Sequence, residues 1–180
     1  MALPTLRGPR LTMRPVEESD LDFLARLNAD AAVMEHVTGR PATRAETGQE
    51  WARRLGPRSD TDRGLGYWIG LDDDQPVGWW GLGATGSDPG SGELGFRVRR
   101  ERWRQGWGTE GAATLVAHAF TELTVTRVWA GTTVANTASR RTLAAVGLTS
   151  VDEPFPGVLT YEVSRRQWHA THPRAGRRGA

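Results

Sequence analysis

The chain has 180 residues, 38% of them hydrophobic and 24% charged, which fits one soluble globular domain and excludes a disordered or fibrous chain. Its 23 basic and 21 acidic side chains leave a net charge of only +2, a smaller excess than a strongly basic nucleic-acid binder carries. There is no cysteine and every basic residue is arginine, so disulfides, thiolate metal sites, cysteine nucleophiles, Walker A lysines and Schiff-base or pyridoxal phosphate lysines are all excluded.

In chain order, MALPTLRGPR lacks the apolar core of a signal peptide, and no apolar run approaches the roughly 18 residues that cross a bilayer. A cytoplasmic protein with no membrane partner is expected. LTMRP (11–15) reads as a strand ended by its proline. Ser19 with Asp22 resembles a capping box, and Leu21, Leu24 and Leu27 follow at helical spacing. Thr43 and Glu46 form a second box before Trp51 and Leu55, with MEHVTGRPA between the two helices as a loop or broken helix.

The period then changes. GYWIGL (66–71), the acidic turn DDDQ and PVGWWGLGA (76–84) read as a β-hairpin. In it Trp79 and Trp80 must face opposite sides, and core packing is expected for each. TGSDPGSG (85–92) has a loop composition, and ELGFRV (93–98) is a third sheet strand. An apolar helical stripe follows from Thr109 to Leu123. RVWAGTTV is a strand, and Thr137 to Val146 is a helix closed by Gly147. LTSV and VLTYEVS are strands around the turn EPFPG. One mixed α/β domain results.

The segment RWRQGWGTEG (102–111) matches G-x-G-x-x-G at Gly106, Gly108 and Gly111. Three readings compete. A dinucleotide site needs the glycines directly after a strand and an acid about 20 residues on. Here seven residues separate Val98 from Gly106, and the later stretch VWAGTTV has no acid. A plain glycine turn before a helix needs no ligand. A pyrophosphate cradle would use glycines for close backbone approach and the unpaired N–H groups of the helix start.

Context favours the cradle. ELGFRVRRERWRQGWGTEG resembles the acetyl-coenzyme A motif of the GNAT N-acetyltransferase superfamily, and within it the branch of bacterial ribosomal-protein N-terminal acetyltransferases (RimJ/RimL-like). Trp103, Gly106, Gly108, Thr109 and Glu110 carry the match. VANTASRRTLAAVGL resembles a second family signature at Asn136, Ser139 and Gly147, with Leu148 where the family has an aromatic. LTMRPVEESDLDFL and YEVSRRQW resemble the family's first and last strands.

The resemblance spans about residues 9–168, with residues 1–8 and 169–180 expected to fray. It implies an α/β (α+β) fold: one domain with a mixed, mostly antiparallel sheet of about six to seven strands flanked by about four helices.

The function implied is acetyl transfer from acetyl-coenzyme A to a primary amine, a protein N-terminus or a small molecule, by direct attack in a ternary complex. The amides of Arg104, Gln105, Gly106, Trp107, Gly108 and Thr109 would hold the pyrophosphate. The backbone of Phe96, Arg97 and Val98 would pair with the pantetheine arm as an added strand, and the Val98 N–H would face the oxyanion. Asn136 would bond the pantetheine arm, or serve as a helix N-cap.

Many family members carry a tyrosine seven residues after this asparagine. Here Leu143 stands there, so Ser139 or water is left beside the departing sulfur. Glu93 is the preferred base, with Glu35 and His36 as further candidates in the acceptor region. Asp72, Asp73 and Asp74 read as a solvated turn. His169 and His172 lack a third ligand, and no metal is expected. Relatives of this kind are monomers or homodimers.

Two other classes stay open: a non-catalytic acyl-coenzyme A sensor, and an RNA-binding module built on RVRRERWR.

Overall fold

The computed structural model describes residues 2–56, 58–85 and 88–173. In order these form β1 (Leu6–Arg7), β2 (Thr12–Pro15), α1 (Leu21–Ala29), α2 (Ala31–Met34), α3 (Arg44–Leu55), β3 (Gly66–Asp72), β4 (Gln75–Ala84) and β5 (Ser91–Val98). Then follow α4 (Trp107–Thr121), β6 (Arg127–Thr133), α5 (Thr137–Ala145), β7 (Thr149–Phe155), β8 (Val158–Ser164) and α6 (Arg165–Thr171). The eight strands make one mixed sheet in the order β1-β2-β3-β4-β5-β6-β8-β7. All neighbours are antiparallel except β5 and β6. The additions to the expected elements are β1 and the short helices α2 and α6.

The two ends are more ordered than their composition suggests. Leu3 and Leu6 pack on the core, and the Trp68 indole donates to the Pro4 carbonyl at 2.8 Å. Helix α6 starts with a reciprocal capping box between Ser164 and Gln167. Residues 174–180, part of the tail expected to fray, lie outside the described residues.

Local chemistry explains most boundaries. The Thr43/Glu46 box caps α3 as its spacing predicts. The box ahead of α1 is shifted: it joins Glu17 to Asp20, not Ser19 to Asp22. Arg14 grips the buried Asp20 at 2.6 Å, which makes Asp20 the better-held acid; Asp22 pairs with Arg44. The β3–β4 hairpin turns on Asp73 and Asp74 at φ of 43° and 65°, a conformation aspartate tolerates better than most residues.

The sheet buries two different faces. Trp80, Trp68, Leu82 and Leu94 pack against Leu115, Val116, Ala119 and Phe120 of α4. On the opposite face Trp79, Tyr67 and Ile69 pack against Leu24 and Leu27 of α1 and Trp51 of α3. Trp79 and Trp80 are both buried, one on each side, as strand alternation requires.

Candidate functional site

The parallel pairing of β5 with β6 is short. It joins Ser91 to Arg127, Gly92 to Val128 and Glu93 to Trp129, then stops, although β5 runs on to Val98 and β6 to Thr133. The strands part at Glu93 and leave a wedge.

The free edge of β5 follows from alternation. The Arg99 N–H donates to Val77 O, and the Arg97 carbonyl points at Gly78, so both residues face β4. Phe96 and Val98 therefore direct their N–H and C=O groups into the wedge. The Val98 carbonyl accepts the Trp103 indole N–H at 2.7 Å. Arg97 departs from expectation: its backbone is used by β4, and its side chain turns away to α3.

The mouth of the wedge is the loop ahead of α4. The helix begins at Trp107, two residues earlier than the sequence pattern indicated, with Gly106 as its N-cap at φ 88°. Arg104 is also left-handed, at φ 59°. Two left-handed residues one apart turn successive amides to the same side. The N–H groups of residues 104 to 109 find no acceptor among the described residues; the first helical bond runs from Glu110 N to Gly106 O. They form an anion-seeking concavity at a helix N-terminus, reinforced by the helix dipole.

A Cβ on Gly108 would stand 3.8 Å from Phe96, 3.9 Å from Val98 and 3.7 Å from Thr142. This glycine thus lies between the free edge of β5 and helix α5.

The loop is held from behind. Arg10 donates to Gln105 O at 3.1 Å, lies 4.0 Å over the Trp107 ring and pairs with Glu110 at 2.8 Å. Glu110 also accepts the N–H groups of Arg10 and Leu11, at 2.7 and 2.8 Å. Burial would raise the Glu110 carboxyl, but the bonds from Arg10 and Leu11 outweigh it and hold it below the ordinary carboxylate range.

The Gln105 side chain is occupied, donating to Glu101 O and accepting from Trp107. Gly111 has a steric task. A Cβ there would come within 2.3 Å of the Trp80 ring, whose N–H donates to Gly108 O at 3.2 Å. Trp80 and Gly111 together set the first turn of α4 on the sheet. Sequence reasoning missed both Arg10 and Trp80 here, because their link to the loop is long-range.

Helix α5 borders the other side. Asn136 caps it, accepting the Ser139 N–H through Oδ1 at 3.0 Å. That leaves its Nδ2 hydrogens available, so the cap and the pantetheine role are compatible. Ser139 is half-buried. Leu143, at the family's tyrosine position, is buried in the core.

Glu93 stands where β5 and β6 part, and Arg58 is bonded to it. On the same face of β5, Arg97 donates to Glu50 at 2.8 Å and to Asn28 at 2.8 Å. Asn28 in turn donates to Thr47 at 3.2 Å, and Arg54 pairs with Glu50 at 2.9 Å while lying 4.6 Å over Trp79. Burial opposes the Glu50 charge, yet the hydrogen bonds and charges of Arg97 and Arg54 hold its carboxyl below the usual range. Glu50, Arg54 and Arg97 of this network line a cavity of about 360 Å³ between α3 and the segment that follows α2.

Other candidates lie apart. Glu35 and His36 are exposed on the turn after α2. His169 and His172 pack on the Trp168 ring, with centroids 5.0 and 4.5 Å away. Asp72 is not simply solvated, since Arg102 pairs with it at 2.8 Å. The arginines of RVRRERWR are also partly committed: Arg97 is buried, Arg99 pairs with Glu101 and Arg102 with Asp72. Arg100 and Arg104 are exposed and have no acidic partner among the described residues. Among the described residues, no helix is long and apolar enough to cross a membrane.

Comparison with known proteins agrees with this geometry. The acetyltransferase (GNAT) domain profile matches residues 10–149. An FsC-acetyl coenzyme A-N(2)-transacetylase from Aspergillus fumigatus is 35% identical, the match covering 93% of this chain and 79% of that protein. The crystal structure of an acetyltransferase from Agrobacterium tumefaciens superposes with a TM-score of 0.77 at 23% identity, covering 91% of this chain and 95% of that one. RimL, a ribosomal L7/L12 α-N-protein acetyltransferase solved in complex with coenzyme A, superposes with a TM-score of 0.73 at 17% identity, covering 91% and 98%. The chain belongs to the GNAT acetyltransferase family.

Proposed function

We propose that the protein transfers an acetyl group from acetyl-coenzyme A to a primary amine in a ternary complex. The observation that carries this is the run of unpartnered N–H groups at residues 104 to 109, set at the mouth of a wedge with a free β-strand edge. A pyrophosphate suits the first feature and an amide-bearing pantetheine arm suits the second.

Phe96 and Val98 offer backbone groups to the arm; Arg97 does not. Asn136 adds its amide nitrogen from the opposite wall. The amine nitrogen attacks the thioester carbonyl, a C–N bond forms, and the Val98 N–H stabilises the oxyanion. Collapse breaks the C–S bond. One amine proton leaves through Glu93, directly or by water, and the sulfur gains one, so N-acetylamine and free thiol are the products. With Leu143 in the core, Ser139 or a water is left to hydrogen-bond the sulfur.

The 35% identical relative is named for N(2) acetylation, which favours a small-molecule amine. A protein N-terminus, as in the RimJ/RimL-like branch, is supported by the loop motif and by fold likeness to RimL.

Calorimetry with acetyl-coenzyme A tests the cradle. Gly108→Val projects methyl groups between Phe96, Val98 and Thr142 and should weaken binding at least tenfold, about 1.4 kcal/mol; equal affinity would reject the site. For Glu93, replacement by Gln should lower kcat for acetyl transfer while leaving acetyl-coenzyme A affinity unchanged. An unchanged kcat would assign the proton to another acceptor.

A further inference from the structure

The cavity above the Glu50 network has an unusual charge. Five arginines and two glutamates line it. With Glu93, which lies on Arg58, three carboxylates face five guanidiniums. The arginines differ in how committed they are. Arg54 and Arg97 share Glu50, and Arg40 pairs with Glu46. Arg53 is exposed at the rim and has no acidic partner among the described residues. Arg58 spends part of its five-donor fork on Glu93 and keeps N–H groups for a ligand. Met34 and Val37 supply an apolar wall.

We propose that the acceptor is a primary amine that also carries a carboxylate, which docks on Arg53 and Arg58 with its aliphatic part against Met34 and Val37. This rests on the acetyltransferase reading above and names its substrate class. The carboxylate meets a planar guanidinium fork, which holds it in a fixed orientation. Its amine then lies toward Glu93, where the wedge opens.

The surplus of positive charge also selects against a second cationic group on the acceptor. A polyamine would meet repulsion at the same place.

The test uses three matched four-carbon amines, γ-aminobutyrate, its amide and putrescine, with thiol release from acetyl-coenzyme A as the readout. Wild type should prefer acid over amide over diamine, with at least about a tenfold difference in kcat/KM between the ends. Arg53→Gln should raise KM for the acid while leaving its kcat, and Arg53→Glu should reverse the order. Equal rates, or preference for the diamine, would overturn the inference.

A second measurement needs no turnover. N-acetyl-γ-aminobutyrate and its amide are titrated calorimetrically into the coenzyme A-saturated protein. Binding of the acid alone supports the proposal; equal binding, or none, overturns it. The acetyl-coenzyme A titration run beside it reports the cofactor site separately, so failure of the acceptor inference leaves that reading intact.

Discussion

The two sides of β5 are built from different materials. On the wedge side the groups open to a ligand are backbone amides, offered by residues 104 to 109 and by the free edge at Phe96 and Val98. On the α3 side they are guanidiniums, held by Glu50, Asn28 and Trp79. Backbone amides can be kept by any sequence that holds the backbone still, whereas a guanidinium site is lost when its side chain changes. On the reading proposed above, one side of β5 takes the cofactor and the other selects the acceptor.

Glu50→Ala should separate the sides most forcefully. It strands the buried Arg97 charge, and removing one partner of a buried pair costs about 3–5 kcal/mol. Urea denaturation checks this. If the variant still folds, its affinity for acetyl-coenzyme A should hold while acceptor KM rises; a parallel loss of both would mean that the sides are coupled through β5.

Gly111→Val should do the reverse. Its Cβ would collide with Trp80, and overpacking of this kind costs about 1–3 kcal/mol. Because Trp80 seats the first turn of α4, cofactor affinity should fall with Tm, and acceptor selectivity should not change. An unchanged Tm would show that Trp80 moves aside freely.

The smallest effect is an acid-limb one. Glu110 and Glu50 both have carboxyls held below the ordinary range. A depressed folded pKa contributes stability that is present above the unfolded value, about 4.3, and is lost as pH falls through the folded value. Wild-type stability should therefore decline below about pH 4. Glu110→Gln should flatten part of that decline and loosen the loop that Arg10 braces. An identical pH dependence in wild type and variant would show that the Arg10 and Leu11 bonds do not discriminate the charged carboxyl.

Much of the fold was legible in the residues. The Thr43/Glu46 box, the alternation through Trp79 and Trp80, the hairpin at Asp73 and Asp74 and the stripe of α4 are local signals with local causes. The glycine start of α4 was legible too, since glycine reaches the positive φ that Gly106 adopts as N-cap without steric cost. Arg97 was misplaced because strand parity depends on which edge of β5 β4 occupies, and that is a matter of register. The parts that Arg10, Trp80 and Thr142 play beside the loop carried no signal, because each reaches it across the fold. The arginine cavity was invisible for a related reason: Arg40, Arg53 and Arg58 are scattered among turn and helix residues, and Arg97 joins them from β5.

By itself, then, the sequence determined the element order, the glycine start of α4 and the exclusion of lysine, cysteine and metal-thiolate chemistry, because these follow from residue type and spacing of a few positions. Only the tertiary structure decided where β5 and β6 part, which side of β5 each residue serves and how much positive charge gathers beside Glu93. Those are sums over contacts between distant segments, and no local pattern encodes them.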